Sequence, residues 1–150
     1  MRDMTIQGEY VPSKQQWVRD QVEEFEASDG QRANILRGNP EWPIVVITSR
    51  GAKSGKLRKN PVMRVEKDGK YVAIASLGGA PKNPTWYYNF VEHPEVELQD
   101  GPAPQLYRAR IAEGEERAEW WERAVALYSP YAEYQEKTDR EIPVFLLERV

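Results

Sequence analysis

Six cationic side chains, Arg50, Lys53, Lys56, Arg58, Lys59 and Arg64, fall within a segment that contains no acid, in a chain whose formal net charge is -3. Without them, fifteen cations would face twenty-four acids, so the segment is basic against an acidic molecule. The economical chemistry for such a patch is an anionic ligand. Its charge would meet the Lys and Arg heads, and its oxygens would meet backbone N–H groups that Gly51 and Gly55 leave open to close approach. A solvated, charged hairpin loop is the alternative that charge alone leaves standing. The spacing is not that of a Walker A loop: three residues separate Gly51 from Gly55-Lys56, Leu57 follows where Ser or Thr is needed, and a strand-like run comes next rather than a helix.

Hydroxyls form a second group. Tyr128, Tyr131 and Tyr134 recur at successive threes, which brings Tyr131 and Tyr134 onto one helix face with Tyr128 at the junction before it. Phenols spaced this way either pack against one another or offer hydrogen bonds to a polar substrate atom and to charge developing on it. Ser76 precedes Leu77-Gly78-Gly79-Ala80-Pro81, where paired glycines permit a sharp turn and leave backbone donors uncovered. Trp86, Tyr87, Tyr88 and Phe90 follow in a short aromatic helix whose rings are either core or the wall of a flat cofactor.

Composition narrows the chemistry. The 150 residues include no cysteine and one histidine, His93, in the turn-like pair His93-Pro94. Disulfides, thiolate nucleophiles, cysteine or histidine metal centres and a Ser-His-Asp triad are therefore not expected. No secretory h-region follows Met1 and no apolar run approaches membrane-spanning length, which predicts a cytoplasmic protein. Overall acidity argues against nucleic acid as a partner.

The elements that must position these groups read as one domain. Residues 1–14 lack a period and carry Gly8 and Pro12, predicting a flexible arm; residues 15–150 form the domain. Trp17, Val18, Val22 and Phe25 recur at helical spacing over residues 15–27, a stripe that covers the core or, as a minority reading, touches a membrane surface. Strands are predicted near residues 44–47, 62–66, 71–76, 95–99, 106–112 and 143–148, with a hairpin at Asp68-Gly69. Asn83 and Pro84 read as a helix start, and residues 115–128 as a longer helix with Ala118, Trp121 and Val125 inward. The chain is thus mainly β with flanking α-helices: about six antiparallel strands in a barrel, with no βαβ alternation and no dinucleotide-binding glycine motif.

Three runs, RGAKSGKLRKNPVMRVEKDGKYVAIAS, GGAPKNPTWYYN and EWWERAVALYSPYAEYQEKTDREIPVFLLE, resemble the deazaflavin-dependent nitroreductases of actinobacteria, nitroimidazole-activating members among them. These are small split β-barrel oxidoreductases that use coenzyme F420, and the resemblance extends from Trp17 to the end of the chain. It implies that Ala52, Lys53 and Ser54, with Arg58, Lys59 and Asn60, hold the anionic end of the cofactor. Pro61, Val62, Met63, Ile74, Ala75, Ser76 and Leu77 would line the deazaflavin ring. Thr85, Trp86, Tyr87, Tyr88 and Asn89 would form the aromatic helix against it, and Tyr131 would close over it. Leu77 departs from the lysine that the family carries there.

The resemblance further implies hydride transfer from reduced F420 to a quinone or nitroaromatic acceptor, with Ser76, Tyr128, Tyr131 and Tyr134 as the catalytic group. The N-terminal helix could make peripheral membrane contact to reach a lipid quinone. Rival readings are a barrel using flavin mononucleotide, whose single phosphate hardly needs six cations, a non-enzymatic F420-binding module, and an RNA-binding barrel.

Overall fold

The strand at Asn39–Arg50 (β2) carries buried residues on both of its faces, so it must be covered on both sides. Ile44 and Val46 point into one apolar cluster, with Val18, Val22 and Phe25 of the helix Gln16–Ala27 (α1); Val45 and Ile47 point into a second, with Phe90, Phe145 and Leu147. The computed structural model describes residues 6–150. Before β2 lies the short strand Ile35–Leu36 (β1). After it come Leu57–Met63 (β3), Val65–Lys67 (β4) and Lys70–Ile74 (β5), a single tight turn at Leu77–Gly79, and the helix Thr85–Glu92 (α2). Glu95–Gln99 (β6), Pro104–Ile111 (β7), helices Gly114–Leu127 (α3) and Pro130–Glu136 (α4), and Val144–Arg149 (β8) complete the chain.

All paired strands are antiparallel, in the order β1-β2-β6-β7-β8-β5-β4, with β3 also on β2. β3 and β4 are separated only by Arg64, yet one pairs with β2 and the other with β5. The sheet therefore curls until its far ends belong to one bent segment, which is how an antiparallel sheet hides its edges. The Asp68-Gly69 hairpin forms with Lys67 opposite Lys70 and both turn residues at positive φ, as the Asp-Gly pair predicts.

Several local expectations shift. The strand expected over residues 62–66 begins five residues earlier, at Leu57, because β2 extends to Arg50 and offers partners to Leu57, Arg58, Lys59 and Asn60. Pro61 is tolerated opposite Val46 because β3 borders the sheet there and its missing N–H breaks no ladder. Trp17 is 56% exposed, leaving Val18, Val22 and Phe25 as the buried stripe of α1. In α3 the inward positions are Trp120 and Ala124, with Trp121 and Val125 packed beside them and Ala118 exposed. Asn83 does not cap α2; its side-chain oxygen accepts from Arg140 Nη1 at 2.7 Å.

Of the arm expected over residues 1–14, residues 1–5 lie outside the described residues. From Gln7 to Val11 the chain runs along the sheet edge: Val11 N donates to Leu57 O at 3.0 Å and Leu57 N to Glu9 O at 2.7 Å. The Gly51–Lys56 loop is closed by Gly51 N to Lys56 O at 2.7 Å. Among the described residues, no helix is long and apolar enough to cross a membrane.

Candidate active site

β3 carries Arg58 to Met63 along one wall of an open cavity of about 680 Å³. Ile74, Ser76, Leu77 and Gly78 form a second wall where β5 gives way to the tight turn. Thr85, Trp86 and Asn89 of α2 close one end; Tyr128, Tyr131 and Tyr134, at the α3–α4 junction and along α4, close another. The cavity thus gathers Arg58, Lys59, Asn60, Pro61, Val62, Met63, Ile74, Ser76, Leu77, Thr85, Trp86, Asn89 and all three tyrosines.

The other anticipated residues lie elsewhere. Ala52, Lys53 and Ser54 sit in the loop after β2, held to α2 by Ala52 N, which donates to Asn89 Oδ1 at 2.9 Å. Ala75 and Tyr87 belong to the second core cluster, Tyr87 with its ring against Phe145. Tyr88 is 51% exposed and edges onto Tyr87.

The six cations divide by partner. Arg50 donates to Gly55 O and Gln7 O and so braces the loop; Lys59 pairs with Glu26 of α1 at 2.5 Å; Arg64 pairs with Asp100 at 2.8 Å; Lys56 reaches Glu9 at 3.7 Å. Lys53 and Arg58 have no carboxylate partner among the described residues. These two are therefore the cations of the segment left available to an anionic ligand.

At the tyrosine end, Tyr128 Oη and Tyr134 Oη are 3.2 Å apart, and the Tyr128 ring meets Tyr131 edge-on at 4.9 Å. Burial pushes the Tyr131 phenol well above its ordinary range. Burial first, then the hydrogen bond to Tyr128, pushes Tyr134 up to about 12, with Arg37 opposing. These phenols stay protonated at neutral pH and remain donors. Gly79 is forced by the same packing, since a Cβ there would lie 2.7 Å from Tyr134 O.

Sequence reasoning missed Trp17, Leu36 and Arg37 on this cavity. Arg37 stands with Gly38 in the β1–β2 turn, at φ 50°, where an arginine is unusual. The Arg-Gly pair between Leu36 and Asn39 is the local signal that marks this turn.

A family model described as F420H(2)-dependent quinone reductase matches residues 17–149. The chain belongs to that family. Members of the F420H(2)-dependent quinone reductase family include a Mycobacterium tuberculosis relative given the family's name provisionally, 33% identical over 105 residues that cover 70% of this chain and 88% of that protein. Among solved structures, the F420-H2 dependent reductase FDR-A of Mycobacterium smegmatis is 57% identical, covering 71% of this chain and 94% of its own, with a TM-score of 0.67. A chain solved as a domain-swapped dimer is 51% identical, covering 91% of this chain and all of its own, with a TM-score of 0.70. The fold is accordingly the split barrel of F420-dependent reductases, the protein is an oxidoreductase, and its cofactor is reduced F420.

Proposed function

We propose that this chain reduces a quinone with F420H2 in the cavity between β3, the Ser76 turn and the tyrosines, and that an electron-poor nitroaromatic can take the quinone's place. The observation that carries this is a cavity that joins an uncommitted cation, Arg58, to an apolar wall and a cluster of phenols, with a second uncommitted cation, Lys53, on the loop that Ala52 ties to Asn89 of the same cavity. That combination fits a cofactor with a flat ring and a long anionic end.

When bound, reduced F420 supplies hydride. The chain's own work is binding, orientation and screening. Lys53 and Arg58 would take the anionic end, with Ala52, Ser54, Lys59 and Asn60 beside them. Pro61, Val62, Met63, Ile74 and Leu77 would support the ring, and Thr85, Trp86 and Asn89 the end near α2. Ser76 and Tyr134 would donate hydrogen bonds to the acceptor oxygen on which negative charge builds, Tyr128 holding the Tyr134 hydroxyl in place. Tyr131, 5% exposed, would exclude water from behind them.

The exposed Trp17 on the cavity rim favours a reaction at the cytoplasmic membrane surface, with α1 in peripheral contact when the acceptor is a lipid quinone. Vesicle co-sedimentation, compared with Trp17→Ala, tests that contact. The functional reading is tested by titrating the protein with oxidised F420 and with flavin mononucleotide, following tryptophan quenching. Saturable binding of F420 alone is expected; binding of flavin mononucleotide alone would overturn the reading.

A further inference from the structure

Arg140 lies in the link between α4 and β8, at no wall of the cavity, yet its guanidinium is spent on the turn that carries Ser76. Nη2 donates to Ser76 O at 2.8 Å, Nη1 to Ala75 O at 3.2 Å and to Asn83 Oδ1 at 2.7 Å, and Nε to Ala80 O at 3.0 Å. No carboxylate pairs with it among the described residues. A planar, permanently charged fork facing only neutral acceptors acts as a template for their geometry, a role that lysine's single point charge cannot reproduce.

The turn so held has an unfavourable shape. Leu77, Gly78 and Gly79 take φ of 45°, 64° and 84° in succession, and Leu77 pays the steric penalty of an L-residue in the left-handed region. Ser76 O accepts from both Gly79 N and Arg140, and Ala80 N closes onto Leu77 O. Ser76, Leu77 and Gly78 all line the cavity, and neither the Leu77 nor the Gly78 amide has an acceptor among the described residues.

Arg140 is in turn fixed from the tyrosine side. Gln135 of α4 donates from Nε2 to Arg140 O at 2.8 Å, while its Oε1 accepts from Ile142 N at 3.0 Å. One connected path therefore runs from α4, which carries Tyr131 and Tyr134, through Gln135 and Arg140 to Ser76.

The geometry points to Arg140 as a positioning residue that sets the Ser76 hydroxyl and the amides after it in register with Tyr134. The inference rests on the proposed function of this cavity. It assigns a role to Arg140, a residue that the proposed chemistry alone leaves unused.

Arg140→Lys tests it, alone and combined with Ser76→Ala. In the ligand-free protein, amide hydrogen exchange over residues 75–83 should quicken about tenfold while β2 and β8 keep their protection. With F420H2 and menadione, kcat should fall about tenfold while F420 affinity changes by less than about threefold, and the double variant should be no slower than the slower single one. Asn83→Ala removes one of the four acceptors and carries the same expectation at smaller size, should Arg140→Lys fail to fold. Unchanged exchange over residues 75–83, or effects of the two substitutions that multiply, would overturn the inference. If the wild-type protein oxidises no F420H2, the functional reading fails, and exchange alone decides whether Arg140 positions the turn.

Discussion

The hydroxyls of Tyr128 and Tyr134 lie 3.2 Å apart on the wall of one cavity, one at the end of α3 and the other on α4. One phenol can donate to the other and leave a proton free for a bound acceptor, so the pair divides support from chemistry. Tyr134→Phe should lower kcat with a quinone about tenfold, the worth of one lost hydrogen bond at developing charge, while F420 affinity stays nearly constant. Equal loss of both, measured by steady-state kinetics and a binding titration, would refute that division.

The same phenols set a pH expectation. Tyr134 is raised from 10.0 to about 12, chiefly by burial, and burial raises Tyr131 as well. A group with a raised folded pKa contributes stability that is whole below its unfolded value and lost as pH climbs through the folded one. The contribution of Tyr134 should therefore be intact below pH 10 and decline from there towards about 12, while that of the more deeply buried Tyr131 declines over a range that extends higher. Ultraviolet titration of phenolate, run beside thermal unfolding, should show Tyr134 and Tyr131 ionising above the ordinary tyrosine value of 10.0.

Asn89 is 3% exposed and gives the loop after β2 its anchor through the Ala52 amide. Asn89→Ala leaves that amide without its partner, which should destabilise the fold by about 1–2 kcal/mol and weaken F420 binding. Turnover at saturating cofactor should be changed less than affinity, as read from Kd and kcat together.

Arg58 and Arg50 should behave differently although both belong to the basic segment. Arg58→Ala removes an uncommitted cation, so F420 affinity should drop and its dependence on salt should flatten, with little change in Tm. Arg50→Ala removes the brace on Gly55 O and Gln7 O, so Tm should fall. Thermal melts and titrations at two ionic strengths separate the two outcomes.

Gly79 should tolerate no side chain. At φ 84°, with Tyr134 O 2.7 Å from a would-be Cβ, Gly79→Ala must push α4 away from the Ser76 turn. A loss of about 2 kcal/mol or more is expected in denaturant unfolding, from strain and displaced packing together.

Features fixed by neighbouring residues were legible in the sequence, and features fixed by distant pairing were not. Asp68-Gly69 demands positive φ at both positions, so its hairpin could be read from two letters. Arg58, Lys59 and Asn60 look like loop because their charge hides a strand; only the length of β2, with Ser49 opposite Arg58, makes them one. Asn83 resembles a helix cap until Arg140, fifty-seven residues away, claims its oxygen. For the site, the meeting of Met63, Ser76 and Tyr134 at one cavity followed from resemblance between motifs, since no periodicity relates residues so far apart. Arg37 escaped because its turn lies outside the three runs that carried the resemblance.

The most direct test of the central claim is a single-turnover reaction in which the protein, loaded with F420H2 in the absence of oxygen, is mixed with menadione. Return of the oxidised deazaflavin absorbance, fast in wild type and at least about tenfold slower in Tyr134→Phe, is the predicted result. An absorbance that returns no faster than in buffer without protein would contradict the account.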